Sequence, residues 1–415
     1  MNMADKINIG IITLWGCSNY GQNLQVYALQ HFLRNAGHNA FLIRYPLIEC
    51  QDNRPVKWLK LYLKNIMPPV FLYLVYKLKG KKISLSSLKQ HSNLRKKNSV
   101  SPSHGFYMDS SYLIHLREIG RFLDTQINQS ALFYSSAAAL KAFPPEADVY
   151  ITGSDQVWNF WGQPLKVAEY ETLDAFFLNF GRPEVKRISY AASFGTRTID
   201  KESAKIIKPL ISKFSYVSVR EESSLSLCEA CGCRNAEWVP DPTLLLDMNH
   251  YRSLYAELQA KKPNKPYCII YMIRDNIDFL RKVYSWAELK NLEVCLITNT
   301  GQIQHMYKEI FATIPEWLCL FDNAEYVITD SYHGSIFSII FGKTFGIIPF
   351  RGCENDIRLN DLFKRFKLRF PLLNDDKFIS FISNDEIKAA SAILDELHKK
   401  YTFDWFNKIL SIAND

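Results

Sequence analysis

The sequence predicts an α/β fold with two doubly wound, Rossmann-like domains that face a cleft. Short β-like runs alternate with helix-like runs over most of the chain, an order typical of parallel sheets covered by helices. The 415 residues exceed what one ordinary core holds, so two domains of roughly 200 residues each are expected. A composition of 47% hydrophobic and 14% aromatic residues favours packed cores over disorder.

The first domain is expected to span residues 1–245. The run INIGIITL (7–14) predicts its first strand, and apolar residues at spacings of three and four predict the helix that follows. Gly37 ends that helix, and AFLIRY (40–45) predicts the second strand. Further strands are predicted at ADVYIT (147–152), RISYAAS (187–193), YVSVR (216–220) and AEWVP (236–240).

The second domain is expected to span residues 246–415 and to end in helices. Pro240 and Pro242 oppose a helix in DPTLLLD (241–247), which therefore predicts a crossover between the domains. Its strands are predicted at YCIIYMI (267–273), LEVCLIT (292–298), WLCLF (317–321), YVIT (326–329) and TFGIIPF (344–350). Two such domains facing each other form a GT-B-like architecture.

A basic insertion is predicted at about residues 50–145, mostly helical or irregular. Its segment Lys57–Lys97 carries 11 of the 50 basic residues and no acidic one, so the rest of the chain has 39 basic against 42 acidic residues. Aromatic residues beside these lysines suit a helix on an anionic membrane surface, whereas Pro68 and Pro69 break a run already too short to span a bilayer. A core helix with a solvated basic face is the equal alternative. We expect no nucleic acid partner, because no binding motif accompanies the charge.

The N-terminus and the cysteines favour a cytoplasmic protein. The first strand is not a secretory apolar segment, and nine Cys without framework spacing suit reduced thiols. Cys228, Cys231 and Cys233 lack a fourth nearby ligand, and Gly232 predicts a helix end there. With no Asp-x-Asp or His cluster either, we expect no metal and no cofactor.

The seam YVITDSYHG places polar residues where a strand ends and a helix begins. Ligands bind beyond the carboxyl ends of parallel strands, so Asp330 and His333 are predicted catalytic residues. Ser331, Gly334 and Ser335 are predicted to bind substrate around the helix N-terminus, where the dipole favours anions. The alternative is that Asp330 and Ser331 merely cap a buried helix while His333 packs in the core.

The seam NYGQNLQ follows the first strand and predicts a sugar-binding loop. Gly21 permits close backbone approach, and Asn19, Asn23 and Gln25 offer neutral hydrogen-bonding groups; Tyr20 is included among the substrate contacts. The spacing lacks GxGxxG and does not indicate a dinucleotide.

The seam TGSDQVWN follows another predicted strand. Gly153, Ser154, Asp155, Gln156 and Trp158 are predicted to bind substrate, because a carboxylate, an amide and an indole together hold a sugar ring. A turn in which Asp155 caps a helix is the alternative.

Three arginines are candidates for anion binding. Arg220 ends a predicted strand and is assigned a catalytic role, since guanidinium binds phosphate or carboxylate in a bidentate manner. Arg351 and Arg358 follow the last strand and are predicted to bind substrate. Each has the alternative of pairing with a neighbouring carboxylate.

The chain resembles the polysaccharide pyruvyl transferase family. The motifs occur in the family's order: NYGQNLQVYALQHFLRNAGH, GSDQVWN, ISYAASFG, SVREESS, VPDPTLLLD and VITDSYHGSIFSIIFGK. The resemblance implies a GT-B-like enzyme that moves the enolpyruvyl unit of phosphoenolpyruvate onto a sugar. His333 matches the family's catalytic histidine and Arg220 its SxR arginine, but Ser331 stands where better-studied members have a second Arg.

The implied function is pyruvate ketal formation in capsule or other surface polysaccharide synthesis. The acceptor would be a polysaccharide or a polyprenyl-diphosphate-linked oligosaccharide, with the basic segment at the inner face of the membrane. A GT-B nucleotide-sugar glycosyltransferase and a non-catalytic membrane-associated sugar-binding subunit are the alternatives.

Overall fold

The computed structural model describes most of the chain outside the basic segment. The described ranges are residues 6–45, 110–159, 170–257, 262–299, 307–348, 356–370 and 380–412. The chain divides into two compact units, Met1–Pro46 with Tyr112–Asp415, and Leu47–Ser111. Lys57–Lys97 lies outside the described residues, as does most of the predicted insertion.

A five-stranded sheet forms from the first half of the chain. Its strands are Asn8–Ile12 (β1), Asn39–Arg44 (β2), Gln129–Phe133 (β3), Val149–Thr152 (β4) and Lys186–Ser189 (β5). The order is β3-β2-β1-β4-β5, every pair is parallel, and Ile9 lies opposite both Ala40 and Val149. The edge strand β3 corrects the expected insertion of about residues 50–145, because it lies inside that range and belongs to the sheet.

Two short parallel strands continue this sheet beyond β5. They are Ser218–Val219 (β6) and Glu237–Trp238 (β7), and isolated bridges join Ile188 to Tyr216 and Ala192 to Val219. The helices of the first half are Tyr20–Asn35 (α1), Ser110–Leu116 (α2), Ile119–Gln126 (α3), Ala137–Ala142 (α4), Tyr170–Phe176 (α5), Lys201–Ile211 (α6) and Ser224–Ala230 (α7).

A four-stranded parallel sheet forms from the second half. Its strands are Tyr267–Met272 (β8), Glu293–Thr298 (β9), Tyr326–Thr329 (β10) and Phe345–Ile347 (β11), in the order β11-β10-β8-β9. The 3₁₀ helix Pro242–Leu245 precedes it. The remaining helices are Met248–Ser253 (α8), Ile277–Leu289 (α9), Ile314–Asn323 (α10), Tyr332–Ile340 (α11), Ile357–Arg365 (α12), Asn384–Lys400 (α13) and Phe403–Ile412 (α14).

One predicted strand is wrong. Residues 317–321, expected as a strand from WLCLF, form the middle of α10. Thr313 and Glu316 form a capping box at its start, and Pro315 occupies its first turn. These helix-start signals outweigh the β-like composition of the run.

The last helix returns to the first sheet. Phe406 of α14 packs against Phe32 of α1 and Tyr190, which follows β5. The predicted boundary between residues 245 and 246 stays a prediction, since both sheets belong to one compact unit. None of the helices in the described ranges is long and apolar enough to cross a membrane.

The predicted fold class is confirmed. Both sheets are parallel and carry helices between successive strands, as the alternation of runs indicated. In parallel sheets the strand ends gather at one edge, so the seams after β1, β4, β6 and β10 are placed for a shared site.

Candidate active site

Arg220 and His333 converge on one carboxylate, that of Asp241. Nη1 of Arg220 lies 3.2 Å from Oδ2 of Asp241, and Nε2 of His333 lies 3.7 Å from the same oxygen. Arg220 follows β6 and His333 is the second residue of α11, so the contact joins the two sheets. All three residues are buried, with 3%, 1% and 5% of the surface of Arg220, Asp241 and His333 exposed.

Asp241 is held from both of its oxygens. Oδ1 accepts from the backbone N–H of Thr243 at 3.0 Å and from its Oγ1 at 2.7 Å, while Ser154 Oγ donates to Oδ2 at 2.8 Å. Burial opposes ionisation of Asp241, but His333, Arg220 and Thr243 outweigh it and hold the pKa of its carboxyl well below the usual range. Asp241 is therefore a carboxylate at neutral pH.

The guanidinium of Arg220 lies among carboxylates. Nε donates to Oε1 of Glu221 at 2.8 Å, Nη2 lies 3.7 Å from Oδ1 of Asp155, and the group stacks 4.5 Å from the ring centre of Tyr332. Burial opposes its charge, but Glu221 and the other anions keep the pKa of Arg220 well above its usual value. Nη2 has no hydrogen-bond partner in the described part of the chain.

His333 occupies the N-terminal turn of α11. Ser331 caps this helix, its hydroxyl accepting from the Gly334 N–H at 3.2 Å, and the Ser335 hydroxyl donates to the Ser331 carbonyl at 3.2 Å. A Cβ on Gly334 would lie 2.4 Å from Oγ1 of Thr329, so only glycine fits against β10. The alternative reading is thus correct for Ser331, which caps, while Nε2 of His333 lacks a hydrogen-bond partner among the described residues.

Gly21 borders the imidazole directly. A Cβ at this position would lie 2.3 Å from Nδ1 of His333 and 2.1 Å from its Cγ. Gly21 belongs to the first turn of α1, and neither α1 nor α11 has an acidic residue in its first turn. Two positive helix ends therefore meet at His333.

The other polar residues of the seam NYGQNLQ hold the loop together through hydrogen bonds and do not form an open surface. Asn19 caps α1 by accepting from the Gln22 N–H, and Asn23 Nδ2 donates to the carbonyls of Cys17 and Asn19, each at 2.9 Å. Gln25 Nε2 donates to Thr13 Oγ1 and two carbonyls.

Tyr20 is fully buried and links the two halves. Its hydroxyl donates to the Ala312 carbonyl at 2.7 Å, and its ring stacks on Trp317. The polar side-chain groups of Tyr20 and Asn23 and the Nε2 of Gln25 are thus already bonded within the protein, whereas Oε1 of Gln25 is buried without a hydrogen-bond partner among the described residues.

Some residues of the seam TGSDQVWN lie at the cluster and others pack in the core. Gly153 lies against Thr13, Ser154 reaches Asp241, and Asp155 adopts a positive φ of 71° that turns it towards Arg220. Gln156 Oε1 accepts from Asn159 Nδ2 at 2.5 Å.

Trp158 is completely buried and offers no face to a sugar. Its ring stacks on Phe177, with centres 4.8 Å apart, and Nε1 donates to the Phe176 carbonyl. Its contacts are those of a core residue, which corrects the expectation of sugar stacking.

Asp330 and Arg358 make local contacts instead of joining the cluster. Asp330 Oδ1 accepts from the Ile273 N–H at 2.6 Å and Oδ2 from the Arg274 N–H at 3.0 Å, and burial raises its pKa. The carboxylate thus ties β10 to the end of β8. Arg358 pairs with Asp356 at 3.1 Å, the alternative already considered, and Arg351 lies outside the described residues.

Asp241 is the member of the cluster that sequence reasoning did not single out. It stood in the predicted crossover, where a carboxylate between two prolines indicates only a turn. Its position directly after a predicted strand could have indicated it, because the same criterion selected Arg220 and His333.

The described ranges contain no group of three His, Cys, Asp or Glu placed to hold a metal ion. Cys231 is buried at the end of α7, where burial raises the pKa of its thiol to about 12. What the cluster offers is a histidine able to transfer a proton, a carboxylate beside it, and one unpaired guanidinium nitrogen, Nη2 of Arg220, for an anion.

Comparison with solved structures finds distant likeness. A UDP-GlcNAc 2-epimerase from Methanocaldococcus jannaschii, in complex with UDP-GlcNAc and UDP, matches with TM-score 0.42 and 14% identity, covering 93% of this chain and 92% of its own. The epimerase from Neisseria meningitidis bound to UDP-GlcNAc gives 0.40 and 11%, covering 95% and 100%. An alpha-glucosyltransferase in complex with UDP and a 13-mer DNA gives 0.42 and 10%, covering 99% and 100%. These likenesses say nothing about activity.

Sequence comparison is more specific. No curated protein matches the chain. The model of one family, described as polysaccharide pyruvyl transferase, matches residues 19–349, which include Gly21, Arg220, Asp241 and His333. The match covers most of the 415 residues and contains every member of the cluster. The chain belongs to the polysaccharide pyruvyl transferase family.

Proposed function

We propose that the protein transfers the enolpyruvyl unit of phosphoenolpyruvate to a sugar of a polysaccharide or lipid-linked precursor, closing a pyruvate ketal. Protonation of the enol carbon C3 makes C2 electrophilic. A sugar hydroxyl then attacks C2 and loses its proton, and phosphate leaves with the electrons of the C2–O bond; a second hydroxyl closes the ketal.

The observation that carries this proposal is the convergence of His333 and Arg220 on Asp241. The imidazole supplies a group for proton transfer, and the guanidinium supplies positive charge near it. Each has one buried nitrogen with no hydrogen-bond partner in the described ranges, Nε2 of His333 and Nη2 of Arg220. An unpaired buried donor is costly, and an anionic oxygen or a water would satisfy Nη2 of Arg220, while Nε2 of His333 faces Oδ2 of Asp241 at 3.7 Å.

The N-termini of two helices favour an anionic donor substrate. They do so at a site where Ser331 stands in place of the second arginine of better-studied family members. The N-termini of α1 and α11 meet at Gly21 and His333 and carry no acidic residue in their first turns. The positive ends of two helix dipoles favour a phosphate or carboxylate. They offset the three carboxylates that surround Arg220.

The decisive test follows phosphate release and product mass together. Wild-type protein is incubated with phosphoenolpyruvate and a candidate lipid-linked saccharide; the expected product carries one pyruvyl ketal per phosphate released. His333→Gln should reduce turnover by roughly 10²-fold or more, because proton transfer is lost. The matched control His115→Gln alters an exposed histidine of α2 and should turn over normally.

Other outcomes point to other functions. Thermal stabilisation by nucleotide sugars but not by phosphoenolpyruvate would favour a glycosyltransferase. Acceptor binding that survives His333→Gln, in a protein without any turnover, would favour a non-catalytic subunit.

The proposed place of action is the cytoplasmic face of the membrane, reached through Lys57–Lys97. The support is the charge of that segment, which falls outside the described residues. Replacing several of its lysines by Gln should abolish sedimentation with phosphatidylserine vesicles and spare turnover of a short water-soluble acceptor. Unchanged sedimentation would contradict membrane docking.

A further inference from the structure

We infer that Asp241 is the positioning residue of the site: it sets the orientation and tautomer of His333, so that Nδ1 is the nitrogen that exchanges a proton with substrate. Nε2 is buried and faces Oδ2 of Asp241 at 3.7 Å, while Nδ1 is on the ring edge that borders Gly21. The proton exchange with substrate rests on the proposed function. The orientation and tautomer of His333 do not depend on it.

The carboxylate cannot easily turn. Oδ1 is fixed by two bonds from Thr243, and the carbonyl of Thr243 accepts from the hydroxyl of the buried Tyr251 at 2.8 Å. Ser154 Oγ and Nη1 of Arg220 then set the direction of Oδ2. A buried anion held by four donors is a rigid reference point for a neighbouring ring.

The charge on Asp241 decides where the imidazole carries its proton. A carboxylate beside Nε2 favours a hydrogen there, which leaves a lone pair on Nδ1. When the sugar hydroxyl attacks C2, its proton moves to this lone pair and the ring becomes an imidazolium. Oδ2 stabilises that positive charge without itself taking the proton. In the reverse sense, the imidazolium can return the proton to substrate.

The distance of 3.7 Å is longer than a hydrogen bond. Because Arg220 and Ser154 both draw on the same oxygen, the carboxylate divides its interaction among three partners. Catalytic contacts are often long in the ligand-free enzyme and tighten with substrate.

The first test is kinetic, with Asp241→Asn in the full-length protein. The amide keeps the volume but removes the charge, so kcat should fall by roughly 10²- to 10⁴-fold while KM for phosphoenolpyruvate changes only a few-fold. Asp247→Asn is the matched control, because Asp247 lies six residues further on and caps α8 by accepting from the His250 N–H, outside the cluster of Arg220, Asp241 and His333. A kcat within a few-fold of wild type would overturn the inference.

The second test needs no turnover. Long-range ¹H–¹⁵N spectra of protein labelled with ¹⁵N-histidine report which ring nitrogen carries hydrogen, and His333→Gln identifies the signals of His333. We expect Nε2–H in the wild type and a mixture of tautomers in Asp241→Asn. Nδ1–H in the wild type would overturn the inference, even in a protein that is active. The expected spectra in a protein inactive towards phosphoenolpyruvate would instead count against the proposed function alone.

Thr243→Val covers the case in which Asp241→Asn does not fold. Valine has a similar shape and keeps the backbone N–H, but loses the hydroxyl that fixes Oδ1. It should reduce kcat about 10-fold with little change in KM, and mix the tautomers. Wild-type kcat and a single tautomer in this variant would contradict the role assigned to Asp241.

Discussion

Gly21 and His333 touch across the two halves of the chain so closely that residue 21 has no room for a side chain. A Cβ there would come within 2.1 Å of Cγ of His333. The contact joins the main chain of α1 to an imidazole ring on α11. Neither helix can move away without disturbing the sheet it packs on. The backbone of one half therefore limits the space available to the His333 ring in the other.

Gly21→Ala should displace the imidazole and reduce kcat by roughly 10²-fold, because a shift of about 1 Å in a catalytic group has that effect. Gly120→Ala is the control, since a Cβ there meets nothing within 4 Å and Gly120 also lies in a helix. Steady-state kinetics and thermal unfolding distinguish the two variants. Normal turnover in Gly21→Ala would mean that the ring adapts without cost.

Arg117→Met should lower the free energy of unfolding by on the order of 3 kcal/mol. Arg117 is fully buried, donates to the carbonyls of Ser18 and Thr298, and stacks 4.6 Å from the ring centre of Tyr20. Its loss removes one buried donor from each of these carbonyls. Urea unfolding measures the effect, and the exposed Arg121→Met should stay within about 0.5 kcal/mol of wild type. Equal effects in the two variants would contradict a bridging role.

Trp158→Ala should lower the free energy of unfolding by about 3–5 kcal/mol, because a large cavity would open beside Phe177. Trp158→Phe, which preserves an aromatic ring, should lose less. If Trp158 bound sugar instead, Trp158→Ala would raise KM for the acceptor and leave the free energy of unfolding unchanged. Chemical denaturation and acceptor titration on the same samples separate these outcomes.

Acid should weaken the contact between His31 and His250. Their ring centres are 4.2 Å apart, Tyr27 bonds His250 at 2.8 Å, and burial, then His250 and Arg34, lower the pKa of His31 to about 4. Burial also lowers the pKa of His250, against the opposing charge of Asp247.

The unfolded chain takes up protons near pH 6.5, where the folded protein resists them. The stability from these neutral rings is therefore complete above about pH 6.5 and is lost as pH falls towards 4. His31→Gln should flatten the decline in melting temperature between pH 7 and 5, whereas His115→Gln should not. Parallel declines in both variants would exclude the pair as the cause.

Local patterns were enough to predict most of the fold. Strand runs alternate with helix runs, Ser331 caps the helix that follows it, and the seams after β1, β4 and β10 follow from residues that are neighbours in the chain. The same local reading failed at WLCLF, where Thr313 and Glu316 form a capping box outside the run itself.

Such local patterns could not predict contacts between residues that are far apart in the chain. Ser154 and Asp241 are 87 residues apart, and nothing near either one indicates the other. Trp158 and Arg220 have the residue types of a binding site, yet burial places one in the core and the other among carboxylates. Residue type and spacing thus determined the elements and the family, whereas the partners of each polar side chain depended on the folded packing, because burial and charge act through space rather than along the chain.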